Sequence, residues 1–179
     1  AVQTALDEEG ERREHVAVVE KLRRMACVDS LTGISNRAHF DELYARELRR
    51  AERYDTPVAV AMLDVNDFKR INDTLGHLVG DRALQAVATV IRSNVRATDL
   101  VARYGGDEFV VLMPETTEAG ARTVIERVTD ALARFNASES FPVALALAIG
   151  LGTTETSRDP LAVADGLMFE DKRAQKVGR

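Results

Sequence analysis

Three acids in this 179-residue chain stand where carboxylates are awkward for structure and useful for chemistry. Asp64 follows the apolar run 58–63, and Asp107 and Glu108 follow the pair Gly105-Gly106 between two further apolar runs. A carboxylate at the end of a buried strand must be solvated or paired, because its charge is costly to bury alone. Carboxylates from neighbouring strands make a hard-oxygen cage for Mg²⁺, which takes one or two of them together with substrate phosphates. Two metals held this way activate one oxygen and stabilise another in an in-line phosphoryl displacement. The same acids admit a plainer reading, with Asp64 capping the helix after it and Asp107 and Glu108 as turn formers.

The glycines extend the first reading. Gly105-Gly106 lets backbone N–H groups approach a ligand with no Cβ between. The chain contains no Gly-x-x-x-x-Gly-Lys-Ser/Thr loop and no Gly-x-Gly-x-x-Gly turn. A nucleotide here is therefore not held by a P-loop or a Rossmann turn. His77 stands in a Gly-His-x-x-Gly-Asp loop and is expected to be structural, since Mg²⁺ prefers oxygen. His15 and His39 are expected at the surface.

The elements that must position these acids are legible in outline. A helix is predicted over 37–54, with Phe40, Leu43, Tyr44 and Leu48 on one face. Residues 58–63 predict a strand ending on Asp64, and 68–75 a short helix. A helix over 81–94 turns Leu84, Val87, Ala88 and Ile91 inward. Runs 100–104 and 109–113 flank the glycines and acids, which predicts a β-hairpin. A helix over 117–135, a buried strand over 143–151 and a helix over 161–176 complete the pattern. Helices and strands that mix around a tight hairpin predict an α+β fold.

Residues 1–26 are rich in charge, with Val16, Val18, Val19, Leu22 and Met25 as an apolar stripe at helical spacing. Val18, Leu22 and Met25 step by four and then three, as a coiled-coil seam does. Two roles fit this helix: packing on its own domain, or a dimerising, signal-passing arm. The expected division is a linker or signalling helix over 1–28 and one domain over 29–179.

Composition narrows the class. Apolar residues make up 45% and charged residues 30%, as in ordinary globular proteins. The formal net charge of −5 argues against a nucleic-acid or anionic-membrane surface, since phosphate backbones select basic faces. A lone Cys27 makes neither an internal disulfide nor a cysteine zinc site, and fits a reducing, cytoplasmic compartment. The apolar run 143–151 is too short to cross a bilayer. The chain starts at Ala1 inside a charged segment and reads as a piece of a longer protein, for which a membrane anchor is left open.

Arg103-Tyr-Gly-Gly-Asp-Glu-Phe109 resembles the signature of the GGDEF family, the diguanylate cyclases. Four further segments resemble that family in the same order: 29–37, 64–77, Gly80-Asp81, and the stretch from Ala164-Asp165 to Lys172. The resemblance covers residues 29–179. It implies a fold like the palm of nucleotidyl cyclases and polymerases, a central antiparallel sheet flanked by helices. It also implies condensation of two GTP into cyclic di-GMP across a two-fold pair of chains.

By this resemblance, two Mg²⁺ ions per site, with Mn²⁺ as a substitute, fall to Asp64, Asp107 and the Val65 carbonyl, with Glu108 in the same turn. Lys69 joins Asp64, Asp107 and Glu108 in the catalytic set. Phe68, Asn72, Asp81, Gly105, Gly106, Lys172 and Lys176 are the implied substrate contacts. Asn72 and Asp81 fall on guanine. The physics agrees, because a carboxylate accepts from guanine N1–H and N2–H₂, whereas adenine N1 offers a lone pair. Asp81 has a second reading, as cap of the helix it opens. Lys69 and Lys172 fall on phosphate. Lys176 stands where the family usually has arginine, keeping the charge and losing the bidentate fork. Asn66 replaces a common aspartate, and Gly166 costs its helix roughly 1 kcal/mol against alanine. Arg96-Ala-Thr-Asp99 resembles the family's Arg-x-x-Asp site for product inhibition, with Arg127 joining from the next helix. Its plain alternative is a surface salt bridge.

Overall fold

The computed structural model describes residues 27–177. The helix expected over 1–26 lies outside the described residues. In chain order the elements are β1 (Ser35–Asn36), α1 (Arg37–Tyr54), β2 (Val58–Val65), α2 (Phe68–Leu75), α3 (His77–Ser93), β3 (Leu100–Arg103), β4 (Glu108–Pro114), α4 (Glu118–Ala137), β5 (Leu147–Thr153) and α5 (Pro160–Val177). The strands form one sheet in the order β1-β3-β4-β2-β5. All pairings are antiparallel except the short β1–β3 pair, so the expected central antiparallel sheet carries one short parallel strand at its edge.

β2 lies at the centre of the site-bearing part of the sheet, and all eight of its residues are buried. That explains its unbroken apolar run: both faces are covered. Side chains alternate across the pleat. Ala59, Ala61, Leu63 and Val65 face a core closed by α3 and α4, with Leu84, Val87, Ile91, Val124 and Val128. Val58, Val60 and Met62 face a second core with Phe40 of α1 and Ala164 and Met168 of α5. Asp64 continues this second row.

Several boundaries differ from expectation for identifiable reasons. β2 runs on through Asp64 to Val65, because β4 still pairs with it at Asp64 and β5 as far as Val65. α3 begins at His77 and not at Asp81. Gly76, at φ 86°, breaks the chain between two helices: its N–H closes α2 on the Asn72 carbonyl, and its carbonyl accepts from Val79 and Gly80. β5 begins at Leu147 and not at Val143, because the Asn136 side chain claims Leu145, donating to its carbonyl and accepting from its N–H, each at 2.9 Å. The ends of α1 and α4 follow capping chemistry, with Asn36 accepting from the His39 N–H and Thr117 from the Gly120 N–H. Among the described residues, no helix is long and apolar enough to cross a membrane.

Candidate active site

The register places Asp64 directly between Glu108 on β4 and Ala148 on β5. Its residue exposure is 2%. Oδ2 accepts from Lys172 Nζ of α5 at 2.7 Å. Oδ1 is buried and has no partner. Burial pushes the Asp64 carboxyl up, and the Asp107 charge adds to this against the pull of Lys172. Burial alone would lower Lys172, but the bond to Asp64 and the charges of Asp64, Asp107 and Glu108 leave it raised and cationic. Asp64 caps nothing: the cap position of α2 is Asp67.

The β3–β4 turn brings the other acids alongside. Tyr104 and Gly105 N–H groups donate to the Glu108 carbonyl at 2.8 and 3.3 Å, and the Val65 N–H donates to the Asp107 carbonyl at 3.0 Å. The turn is thereby tied to the end of β2. Arg103 fastens it from behind, donating through Nε and Nη2 to the Gly106 carbonyl at 3.1 and 2.7 Å, while Nη1 reaches Asp29 Oδ2 at 3.3 Å. Asp29 in turn accepts from the Thr32 N–H and hydroxyl. The 29–37 segment therefore serves as a latch for the turn.

The two glycines differ. A Cβ on Gly105 would collide with Glu108 Oε2, whereas one on Gly106 would meet open space. Gly105 makes room for the chain's own carboxylate, and only Gly106 offers the bare backbone expected of both. Glu108 is pushed up by burial and by the charges of Asp64, Asp107 and Asp165. Asp165, one helical turn into α5, is an acid that the motif reading had not assigned to the site.

Next to these acids lies a cavity of about 390 Å³ lined by Val65, Phe68, Lys69, Asp107, Lys172 and Lys176, among others. Six of the expected residues thus converge with Asp64 at one end of β2. Asn72 and Asp81 sit beyond Phe68. Asn72 Oδ1 is buried without a partner, and it lies against the backbone of Gly80, where any Cβ would collide with it and touch the Phe68 ring. Gly80 is the residue that lets α3 approach Asn72 this closely. Asp81 follows inside α3, four residues past its start, and is not a cap.

What delivers Lys172 was not legible as chemistry. A Cβ at Gly150 would collide with the Ala164 carbonyl, and one at Gly152 with the Pro160 carbonyl. These glycines let the backbone of α5 lie on β5, on the face that carries Asp64. Polar clasps then fix the helix. Asp171 Oδ2 accepts from the Ile149 N–H at 2.9 Å, and Gln175 Nε2 donates to Asp171 and to the Leu147 carbonyl. Asn66 donates to Gln175 Oε1, so the residue that departs from the family pattern joins α5 to the turn after β2. Gly166 meets nothing, and its cost to the helix has no structural return.

Arg96 and Asp99 lie at the other end of β3 from the turn. They do not form a surface salt bridge. Asp99 is buried, and its Oδ2 accepts from the Arg96 backbone N–H at 2.8 Å. Asp99 Oδ1 has no partner. The Arg96 side chain is exposed, and Arg127 Nε donates to the Asn94 carbonyl at 2.8 Å beside it. His77 is exposed at the start of α3 rather than in a loop. His39 is half-buried rather than superficial, with Nδ1 3.0 Å from Ser35 Oγ. His15 lies outside the described residues.

Comparison with known proteins agrees with this geometry. The family model described as diguanylate cyclase, GGDEF domain, matches residues 26–177. The chain is 37% identical over 160 residues to diguanylate cyclase DgcP of Pseudomonas aeruginosa, covering 87% of this chain and 24% of DgcP. It is 35% identical over 159 residues to diguanylate cyclase DosC of Escherichia coli, covering 86% of this chain and 35% of DosC. The chain therefore spans about a quarter to a third of the length of these curated relatives. Its fold superposes on the coiled coil and GGDEF domain of DgcB from Caulobacter crescentus, solved with c-di-GMP, at a TM-score of 0.85 and 27% identity, covering 94% of this chain and 92% of that one. With a family match across nearly its whole length and the acids, turn and lysines in one place, the chain belongs to the GGDEF-domain family of diguanylate cyclases.

Proposed function

We propose that residues 29–179 form the catalytic domain of a diguanylate cyclase, condensing two GTP into cyclic di-GMP with release of two pyrophosphates. The observation that carries this reading is the orphaned Oδ1 of Asp64 beside the 105–108 turn and a lysine-lined cavity. A buried carboxylate oxygen without a partner is costly, and a ligand that completes it accounts for its retention.

A divalent-cation requirement goes with the family, and the donors fit one. Asp64, Asp107 and the Val65 carbonyl are hard oxygens suited to Mg²⁺ or Mn²⁺, at two ions per site. Among the described residues, no group of three His, Cys, Asp or Glu side chains is placed to hold a metal by itself. That agrees with cations that draw the rest of their shell from substrate phosphates. When bound, they supply Lewis acidity, easing ionisation of the attacking 3′-OH and neutralising charge on the phosphates.

The chain's own residues do the rest. Asn72 and Asp81 select guanine through its N–H donors, with Phe68 shaping that end of the cavity. Lys69, Lys172 and Lys176 hold the triphosphate and stabilise charge that develops on it. Gly106 presents bare backbone to the phosphates. Asp107 or Glu108 receives the hydroxyl proton. Each domain orients one GTP, so the attacking hydroxyl and the α-phosphate it attacks are brought by different copies. A two-fold homodimer is then part of the reaction, and residues 1–28 would set its formation. Arg96, Asp99 and Arg127 would form the product-inhibition site. Asp99 holds the turn there, and the exposed Arg96 guanidinium is free to fork onto guanine O6 and N7.

The test is product analysis by chromatography and mass with GTP and Mg²⁺. Cyclic di-GMP from the parent and none from Asp107→Ala is the expected result. A parent that makes none, even with a strong coiled coil fused before Val16 to force pairing and any bound product stripped, would overturn the enzyme reading in favour of a nucleotide-binding module.

A further inference from the structure

Lys172 is read above as a phosphate ligand, yet its ammonium is engaged with Asp64. The two positions are adjacent: Lys172 also lines the cavity, together with Lys69 and Lys176. Asp64 is nearly fully buried, with a side-chain exposure of 3% against 27% for Lys172. A carboxylate that deep needs a counter-charge to stay ionised. The placement of that charge is built into the fold. The glycines of β5 draw α5 onto the sheet, and Asp171 and Gln175 clasp it there. The head, by contrast, is mobile by chemistry: a lysine is a compact point charge on a flexible stem, without the fixed fork of an arginine.

An ammonium and a divalent cation on one buried carboxylate repel each other strongly at low dielectric. Lys172 must therefore leave Asp64 for a cation to enter. Without nucleotide, the departing ammonium is left near Asp107 and Glu108, acids that the entering cation itself draws on, in a cavity already shared with two other lysines. With a triphosphate in the cavity, it gains an anion. We propose that Lys172 is the resident counter-ion of Asp64, exchanged for a divalent cation only when a nucleotide triphosphate takes over the ammonium, so that cation and nucleotide bind cooperatively. The coupling is reciprocal, as any such linkage must be. This inference rests on the metal and nucleotide reading of the site given above.

The test is Mn²⁺ affinity, measured on the whole chain by calorimetry and by the electron-spin signal of free Mn²⁺, with and without a non-reactive α,β-methylene analogue of GTP. In the parent, the analogue is expected to tighten Mn²⁺ binding on the order of tenfold or more. Lys172→Met is expected to bind Mn²⁺ about tenfold more tightly than the parent when no nucleotide is present, and to lose most of the tightening. Lys172→Gln serves the same purpose should the methionine variant not fold. A Lys172→Met or Lys172→Gln protein that binds Mn²⁺ no more tightly than the parent, or is tightened equally by the analogue, overturns the exchange. Failure of the underlying reading has a different signature: Mn²⁺ binding by the parent that Asp64→Asn does not abolish.

Discussion

The two faces of the sheet are packed by opposite means. The face under α3 and α4 is closed by large branched side chains from both layers, among them Leu63, Phe109, Leu84, Val87 and Ile91. The face under α1 and α5 is lined along β5 by Ala148, Gly150 and Gly152, and α5 settles on it backbone to backbone. The first face gains from area buried away from water. The second gives up side-chain volume so that a helix comes close enough for Lys172 to reach Asp64. The polar end of the molecule is thus built on its small-residue face, and the large-residue face is the rigid floor beneath it.

The strongest way to break this contrast is at Asp64. Asp64→Asn is expected to cut GTP turnover on the order of 10³-fold, while the melting temperature stays level or rises, because a buried charge at a raised pKa is removed. A stability loss of the size seen for core truncations would instead class Asp64 with the packing residues. Next in size is a paired comparison by denaturant unfolding and steady-state kinetics. Leu84→Ala should lose about 3 kcal/mol of stability and leave the folded fraction with unchanged KM. Gly150→Val should lose about 2 kcal/mol and also raise KM for GTP roughly tenfold, since moving α5 moves Lys172. Equal KM values in both variants would erase the distinction between floor and positioning face.

The smallest expected effect is a pH slope. Glu108 has a raised pKa in the fold, so the folded state holds its proton longer than the unfolded chain does. Stability is then favoured at low pH and declines as pH rises from about 4.5 through the raised value. The melting temperature of the metal-free protein should fall over that window. Glu108→Gln should flatten the fall, and added Mg²⁺ should oppose it. Asp29 works in the other direction. Burial alone would raise it, but its bonds from Thr32 and the Arg103 charge lower it, so its contribution holds above its ordinary value and fades as acid protonates it.

Much of the site was readable because it is local. The hairpin acids, the strand leading to Asp64, and the short helix over 68–75 each follow from contiguous residues, and the helix came out at its observed limits. The errors cluster where a distant partner decides. The sequence puts Asp64 at a strand end because it offers no sign that β4 still pairs there and that β5 carries the strand on to Val65. Asp81 was placed at a helix start because the conformation of Gly76 is not visible in its neighbours. Gly105 and Gly106 were given one role, although only packing separates the one that faces Glu108 from the one that faces open space.

By itself, the sequence determined which chemical groups exist and in what local frames. It supplied carboxylates in turns and at an apolar run, lysines at helical spacing, and glycines that tolerate close approach, all properties of a few adjacent residues. Tertiary structure alone decided which of these groups meet. Asp64 and Lys172 are 108 residues apart, and their contact depends on strand register and on a helix resting on two glycines. Whether Asp64 is a solvated acid, a cap or a buried charge with one oxygen unpartnered is a matter of dielectric and neighbours, and these come from the whole fold.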